Sequence, residues 1–128
     1  MRAYIDSDIL IWHLRGEKKA KHLLMRLRDQ ERYDFYTGAM QRAEVIFFMR
    51  PEEENGTKLF LSRIKTESVD QRIVDAAGAL YRKWNPSHGI DVNDAILAAT
   101  VMQTGGCIYT LNTRHFPMSE INVQKGWK

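Results

Sequence analysis

Short apolar runs separated by longer amphipathic stretches set the pattern of this chain. Arg2–Ile5 is a brief apolar run, followed by Asp6-Ser7-Asp8 and then by apolar residues 9–14. That order predicts a strand, a turn rich in capping side chains, and a helix. Residues 17–28 place Ala20, Leu23, Leu24 and Leu27 at helical spacing with cations between them. Residues 33–36 predict a second short strand, and Thr37 an N-cap for a helix over 39–49. Pro51 followed by three glutamates predicts a helix start, with proline in the first turn and acids at the positive end of the dipole. This helix is expected to run to about Ile64, weakened at Asn55-Gly56. Residues 65–69 predict a short strand, and Asp70 caps a helix whose Ile73, Ala77, Leu80 and Trp84 form one stripe. The run Asn85-Pro86-Ser87-His88-Gly89 is expected to break it. Residues 91–103 read as an alanine-rich helix ended by Gly105-Gly106. Cys107–Thr110 predicts a further strand, and residues 121–123 a last one.

Strands that alternate with helices predict an α/β domain, with a central parallel sheet flanked by helices on both faces. Residues 1–128 are expected to form one such domain, since this length matches a single core. Sites in parallel sheets form beyond the carboxyl ends of the strands. Asp6 follows the first strand and Asn112 follows the Cys107 strand, so both fall where such a site is expected.

Composition narrows the function classes. The longest apolar stretch, 95–102, is too short to cross a bilayer, and charges interrupt the first ten residues, unlike a secretory leader. A cytoplasmic protein is the expectation. The single cysteine, Cys107, excludes an internal disulfide and a cysteine-built metal site. Within its apolar run it reads as a small buried hydrophobe. With 19 Lys plus Arg against 16 Asp plus Glu, the net charge is +3, which permits a nucleic-acid partner without requiring one. The cations Lys18, Lys19, Lys21, Arg26 and Arg28 crowd one segment, either as a solvated face or as contacts to RNA phosphates.

Three acids stand in apolar surroundings. Asp6 is either the N-cap of the first helix or a carboxylate aimed into the crevice above the sheet; Ser7 and Asp8 are rival caps. Glu44 is the only acid between Asp34 and Glu52. In so apolar a helix it must face solvent, meet a cation or bind a metal. Asp94 opens the alanine-rich helix, and with Asp91 as N-cap it has capping-box spacing. Carboxylates brought together at one sheet edge would repel, raising a pKa unless a cation neutralises them. Oxygen donors without a cysteine pair point to Mg²⁺ or Mn²⁺. Such an ion can activate water against a phosphodiester.

The stretches Tyr4-Ile5-Asp6-Ser7-Asp8-Ile9-Leu10-Ile11, Ala43-Glu44-Val45, Asp94-Ala95-Ile96-Leu97-Ala98-Ala99-Thr100 and Tyr109-Thr110-Leu111-Asn112-Thr113-Arg114-His115-Phe116 resemble, in order and spacing, the PIN-domain ribonucleases and, within them, the VapC-type toxins of toxin–antitoxin pairs. The resemblance implies a PIN-like fold, with Asp6, Glu44 and Asp94 as catalytic, metal-binding residues and Ser7 as a supporting hydroxyl. The family often carries a fourth acid after the last core strand. Here Asn112 and His115 stand in that region, which leaves a second metal in question. Asp91 could replace the missing charge, although capping is favoured, and Asp8 stands where the family commonly has asparagine. The resemblance further implies an RNA substrate, a small antitoxin partner and a homodimer.

Two other readings also fit the sequence. Asp6-x-Asp8 after a first strand is similar to haloacid-dehalogenase-type phosphatases, which also need a downstream lysine and a paired acidic motif. Alternatively, the chain is a catalytically weak PIN-fold module that binds RNA or an antitoxin.

Overall fold

A computed structural model describes all residues 1–128. Five strands, β1 (Arg2–Ile5), β2 (Asp34–Thr37), β3 (Lys65–Thr66), β4 (Cys107–Thr110) and β5 (Asn122–Lys125), form one sheet in the order β3-β2-β1-β4-β5, with every pair parallel. Six helices connect them: α1 (Ser7–Leu14), α2 (Lys18–Asp29), α3 (Ala39–Phe47), α4 (Glu54–Leu61), α5 (Gln71–His88) and α6 (Val92–Thr104).

Side-chain alternation along the strands divides the core in two. Ala3, Ile5, Cys107 and Tyr109 point to one face and pack with Ile9, Leu10, Leu23, Leu24, Leu27, Val45 and Leu61 from α1–α4. Tyr4 and Ile108 point to the other face, against Ile73 and Ala77 of α5 and Ala95, Leu97, Ala98 and Val101 of α6. The central strands are therefore apolar on both sides, as a covered parallel sheet requires. Cys107 lies in the first core as a buried thiol. No helix is long and apolar enough to cross a membrane.

Several element ends differ from the sequence expectation. Thr37 does not cap α3: it closes β2, its hydroxyl donates to the Ile5 carbonyl at 2.7 Å, and Gly38 takes the N-cap. The helix expected from Pro51 begins instead as a 3-10 turn, Pro51–Glu53, before α4. β3 keeps only two residues, and the next one, Glu67, pairs with the Arg2 guanidinium at 3.0 Å. The expected break after Trp84 is absent: α5 runs through Pro86 to His88 and stops at Gly89, in the left-handed region at φ +63°. Proline in the last turn removes one helical hydrogen bond without unwinding the rest, and Asn85 Nδ2 donates to the Ile90 carbonyl at 3.0 Å across the end. The last strand covers Asn122–Lys125 and so extends beyond the expected 121–123.

β1 lies at the centre of the sheet. The chain moves outward on one side through β2 and β3, then crosses over to β4 on the other. The strand order thus reverses between β1 and β4, and the crevice beyond their carboxyl ends is where parallel sheets place ligands.

Candidate active site

Asp6 is the first residue beyond β1, and its backbone amide still donates to the Tyr109 carbonyl at 3.0 Å. It is itself the N-cap of α1: Oδ1 accepts from the Ser7 amide at 2.8 Å. The rival caps expected at Ser7 and Asp8 therefore do not free Asp6 from capping. Its other oxygen is turned to the crevice, where Oδ2 accepts from the buried Thr110 hydroxyl at 2.8 Å. Thr110 closes β4, so the two central strands end on one hydrogen bond. The same threonine donates toward Asp8 Oδ2 at 3.4 Å and accepts from the Asn112 amide at 3.0 Å. Asp8 is held further by the Leu111 amide at 3.0 Å.

Glu44 enters from α3. Ser7 Oγ donates to its Oε2 at 3.2 Å and Asn93 Nδ2 to its Oε1 at 3.3 Å, so both carboxylate oxygens are engaged. Gln41, one helical turn earlier and buried, donates from Nε2 to the Asn93 carbonyl at 3.3 Å. α3 thereby grips the residue just before Asp94.

Asp94 enters from α6. Its backbone amide donates to Asp91 Oδ1 at 2.7 Å and its Oδ2 accepts from the Asp91 amide at 3.3 Å, completing the capping box expected from their spacing. Oδ2 also lies 3.0 Å from His115 Nδ1, which in turn is 3.1 Å from Asn112 Nδ2. His115 and Asn112 thus stand on the rim beside Asp94, and Asp91 lies behind it with its side chain committed to the cap.

The electrostatics follow from crowding and burial. Desolvation, with Asp8 nearby, pushes the Asp6 carboxyl up to about 7, against the lowering effect of the Thr110 and Ser7 hydrogen bonds. Desolvation together with the Asp91 and Glu44 charges raises Asp94 to about 7. Burial raises Asp8 as well. No lysine or arginine lies within ion-pair distance of Asp6, Asp8, Glu44 or Asp94.

Crowded carboxyl groups with no lysine or arginine against them fit a hard divalent cation. The side chains do not, however, present a ready-made cage: no three acid or histidine groups converge on one point in ligating arrangement. Glu44 and Asp94 are instead turned to Asn93, Ser7 and His115. The expectation that three carboxylates simply meet is corrected to this extent. They share a crevice but are held apart by their own hydrogen bonds.

Sequence reasoning passed over Thr110, Asn93 and Gln41 as site residues. Thr110 carried a weak signal, as the one polar side chain ending an apolar buried strand. Asn93 and Gln41 carried none, because their roles depend on how α3 lies against α6.

A groove of about 330 Å³ leads away from Glu44 between α1, α3 and the turn before α4, lined by Ile11, Leu14, Arg15, Phe48, Arg50 and Glu53 among others. Phe47 and Phe48 at the end of α3 are 77% and 83% exposed.

The PIN domain family pattern matches residues 3–120. Ribonuclease VapC19 of Mycobacterium tuberculosis is 34% identical over 115 residues, covering 89% of this chain and 91% of its own. Ribonuclease VapC10 of the same organism is 32% identical over 117 residues, covering 91% and 86%. Among solved structures, VapBC2 from Rickettsia felis bound to a promoter DNA fragment superposes with a TM-score of 0.81 over the whole of both chains at 16% identity, a likeness of fold. By the extent of these matches, the chain belongs to the PIN-domain family, in its VapC branch.

Proposed function

We propose that this chain is a metal-dependent endoribonuclease, the toxin of a toxin–antitoxin pair, with Asp6, Glu44 and Asp94 as its metal-binding catalytic residues. One observation carries this reading: four carboxylates from three separate elements crowd the switch point of the sheet, and no lysine or arginine pairs with them. The ribonuclease names of the VapC relatives support the substrate class. Mg²⁺ or Mn²⁺ would supply Lewis acidity here, screening the phosphodiester charge and acidifying water. Glu44 and Asp94 would give up their contacts with Asn93 and His115 to take the ion. Thr110 and Ser7 hold Asp6, and Ser7 also orients Glu44, so the first two ligands are tied together by one hydroxyl-bearing frame. Asp8 adds charge beside Asp6. His115 and Asn112 stand where a fourth acid is often found and, being uncharged or cationic, suit the phosphate rim better than a second metal.

The partner reading rests on the groove beside Glu44. Its apolar walls at Ile11, Leu14 and Phe48, with Phe47 and Phe48 exposed, suit a protein segment, and solved structures of similar fold include toxin–antitoxin complexes. An antitoxin lying there would reach the acids. A homodimer belongs to the same reading, and light scattering of the isolated chain measures it.

The test is RNA cleavage in Mg²⁺ or Mn²⁺ by the wild type, Asp6→Ala and Asp94→Asn. Cleavage by the wild type alone is expected. Equal cutting by all three preparations would expose a contaminating nuclease and end the enzyme reading. If none cuts but all bind RNA or the antitoxin, the chain is a binding module.

A further inference from the structure

The cations of α2 do not form one face. Arg28 is tied to Asp29 at 2.7 Å, and Lys21 and Arg28 line a hollow on the side of α2 toward Tyr33, Phe35 and Phe60. Lys19, His22 and Arg26 lie on the other side, at successive helical turns. With Leu23, Gly126 and Trp127 they enclose a separate hollow of about 290 Å³. Arg26 has no carboxylate partner, Lys19 Nζ donates to the Lys128 main-chain oxygen at 3.5 Å, and Lys19, His22 and Arg26 are all exposed.

The backbone connects this hollow to the acids. Gly126 follows β5 at the same carboxyl edge of the sheet, and its amide donates to the Thr110 carbonyl at 3.0 Å. Thr110 is the residue whose hydroxyl holds Asp6. A side chain at Gly126 would meet Ile9 Cδ1 at 2.9 Å and Leu23 Cδ2 at 3.2 Å. The chain therefore passes tightly over α1 and α2 here, and Trp127 lines the hollow with the exposed cations of α2.

An aromatic ring next to exposed cations, tied through Gly126 to the strand end that holds Asp6, has the chemistry of a single-strand nucleotide subsite: the base stacks and the phosphates are neutralised. We propose that Trp127, with Lys19, His22 and Arg26, binds a nucleotide of single-stranded RNA that flanks the scissile bond. This inference rests on the ribonuclease reading above. It assigns α2 a substrate role that the apolar groove beside Glu44 does not share, since there Glu44 and Glu53 offset Arg15 and Arg50.

The test is binding without turnover. A fluorescein-labelled single-stranded RNA of about twelve nucleotides, a length that spans such a site, is titrated in EDTA and followed by anisotropy. Trp127→Ala is expected to weaken binding about tenfold, the scale of one lost base stack, while Trp127→Phe retains most of it. Lys19→Ala with Arg26→Ala is expected to flatten the dependence of log affinity on log salt by roughly two ions. Because Trp127→Ala removes a partly buried ring, the doubly substituted surface variant serves as the fold-neutral arm. If wild type and all variants bind RNA alike with the same salt slope, the subsite is disproved and the ribonuclease reading stands. If the wild type binds no RNA in EDTA, the subsite is disproved, and the ribonuclease reading is decided by the cleavage assay with metal. If the variants keep RNA binding but lose an antitoxin, the patch serves a protein and the proposal is overturned.

Discussion

At the scale of single residues, the site depends on uncharged side chains as much as on its acids. Thr110 donates to Asp6, leans on Asp8 and accepts the Asn112 amide, so one hydroxyl organises three groups. Thr110→Val keeps the shape and removes those bonds. It also removes one of the interactions that restrain the rise of the Asp6 pKa. We expect Mn²⁺ affinity, measured by calorimetry, to fall about tenfold or more, as for other residues that orient ligands. Thr110→Ser should recover most of it. Unchanged affinity in the valine variant would mean that Asp6 is positioned by its capping bond to Ser7 alone. Asn93 acts on Glu44 in the same way. Asn93→Ala should cost several-fold in the same titration and little in melting temperature, because Asn93 is only half-buried.

At the scale of elements, the approach of α3 to α6 decides whether Glu44 and Asp94 share a crevice. Gly38 makes that approach possible: a side-chain carbon there would lie 2.1 Å from Gln41 Oε1 and 3.1 Å from Leu97 Cδ1. Gln41 is fully enclosed and links α3 to the Asn93 carbonyl. Gly38→Ala is expected to destabilise the fold by about 1–3 kcal/mol, the range for overpacking a tight core, and to weaken Mn²⁺ binding by displacing Gln41. Chemical denaturation measures the first effect and calorimetry the second; a neutral Gly38→Ala would show that the helices have room to separate. The same contrast explains what could be read from the sequence. The strands, the amphipathic helices and the Asp91–Asp94 cap were legible, because each is a local pattern of periodicity or capping chemistry. The choice of cap among Asp6, Ser7 and Asp8 stayed open, since three adjacent cap-forming residues look alike until the strand end fixes which one stands at the boundary. Pro86 signalled a break that the last turn of α5 absorbs. Asn93 and Gln41 were illegible, because their partners lie across the packing of two helices distant in sequence.

At the scale of the whole molecule, the topology gathers buried carboxyls at the reversal of strand order, and that arrangement sets how stability depends on pH. Asp6 and Asp94 are both raised to about 7 in the fold, against roughly 3.9 in an unfolded chain. Between those values the folded protein holds protons that the unfolded chain has released. Stability from these groups is therefore complete below about pH 4 and is lost as the pH rises through 7. In EDTA the melting temperature should fall between about pH 5.5 and pH 8, by roughly 3–6 °C for each kcal/mol involved. Mg²⁺ or Mn²⁺ binds the ionised acids of the folded form, so its addition at pH 8 should restore the loss and have little effect at the acidic end. Asp6→Asn removes one of the two buried ionisations. It should abolish cleavage while raising the melting temperature in EDTA at pH 8, because the amide keeps an acceptor for the Ser7 amide and no longer carries a buried charge. Scanning calorimetry across that range, with and without metal, tests the set together. A metal-free protein that grew more stable toward pH 8 would mean that the acidic crevice is already neutralised from within, and a divalent ion would then have no electrostatic reason to bind there.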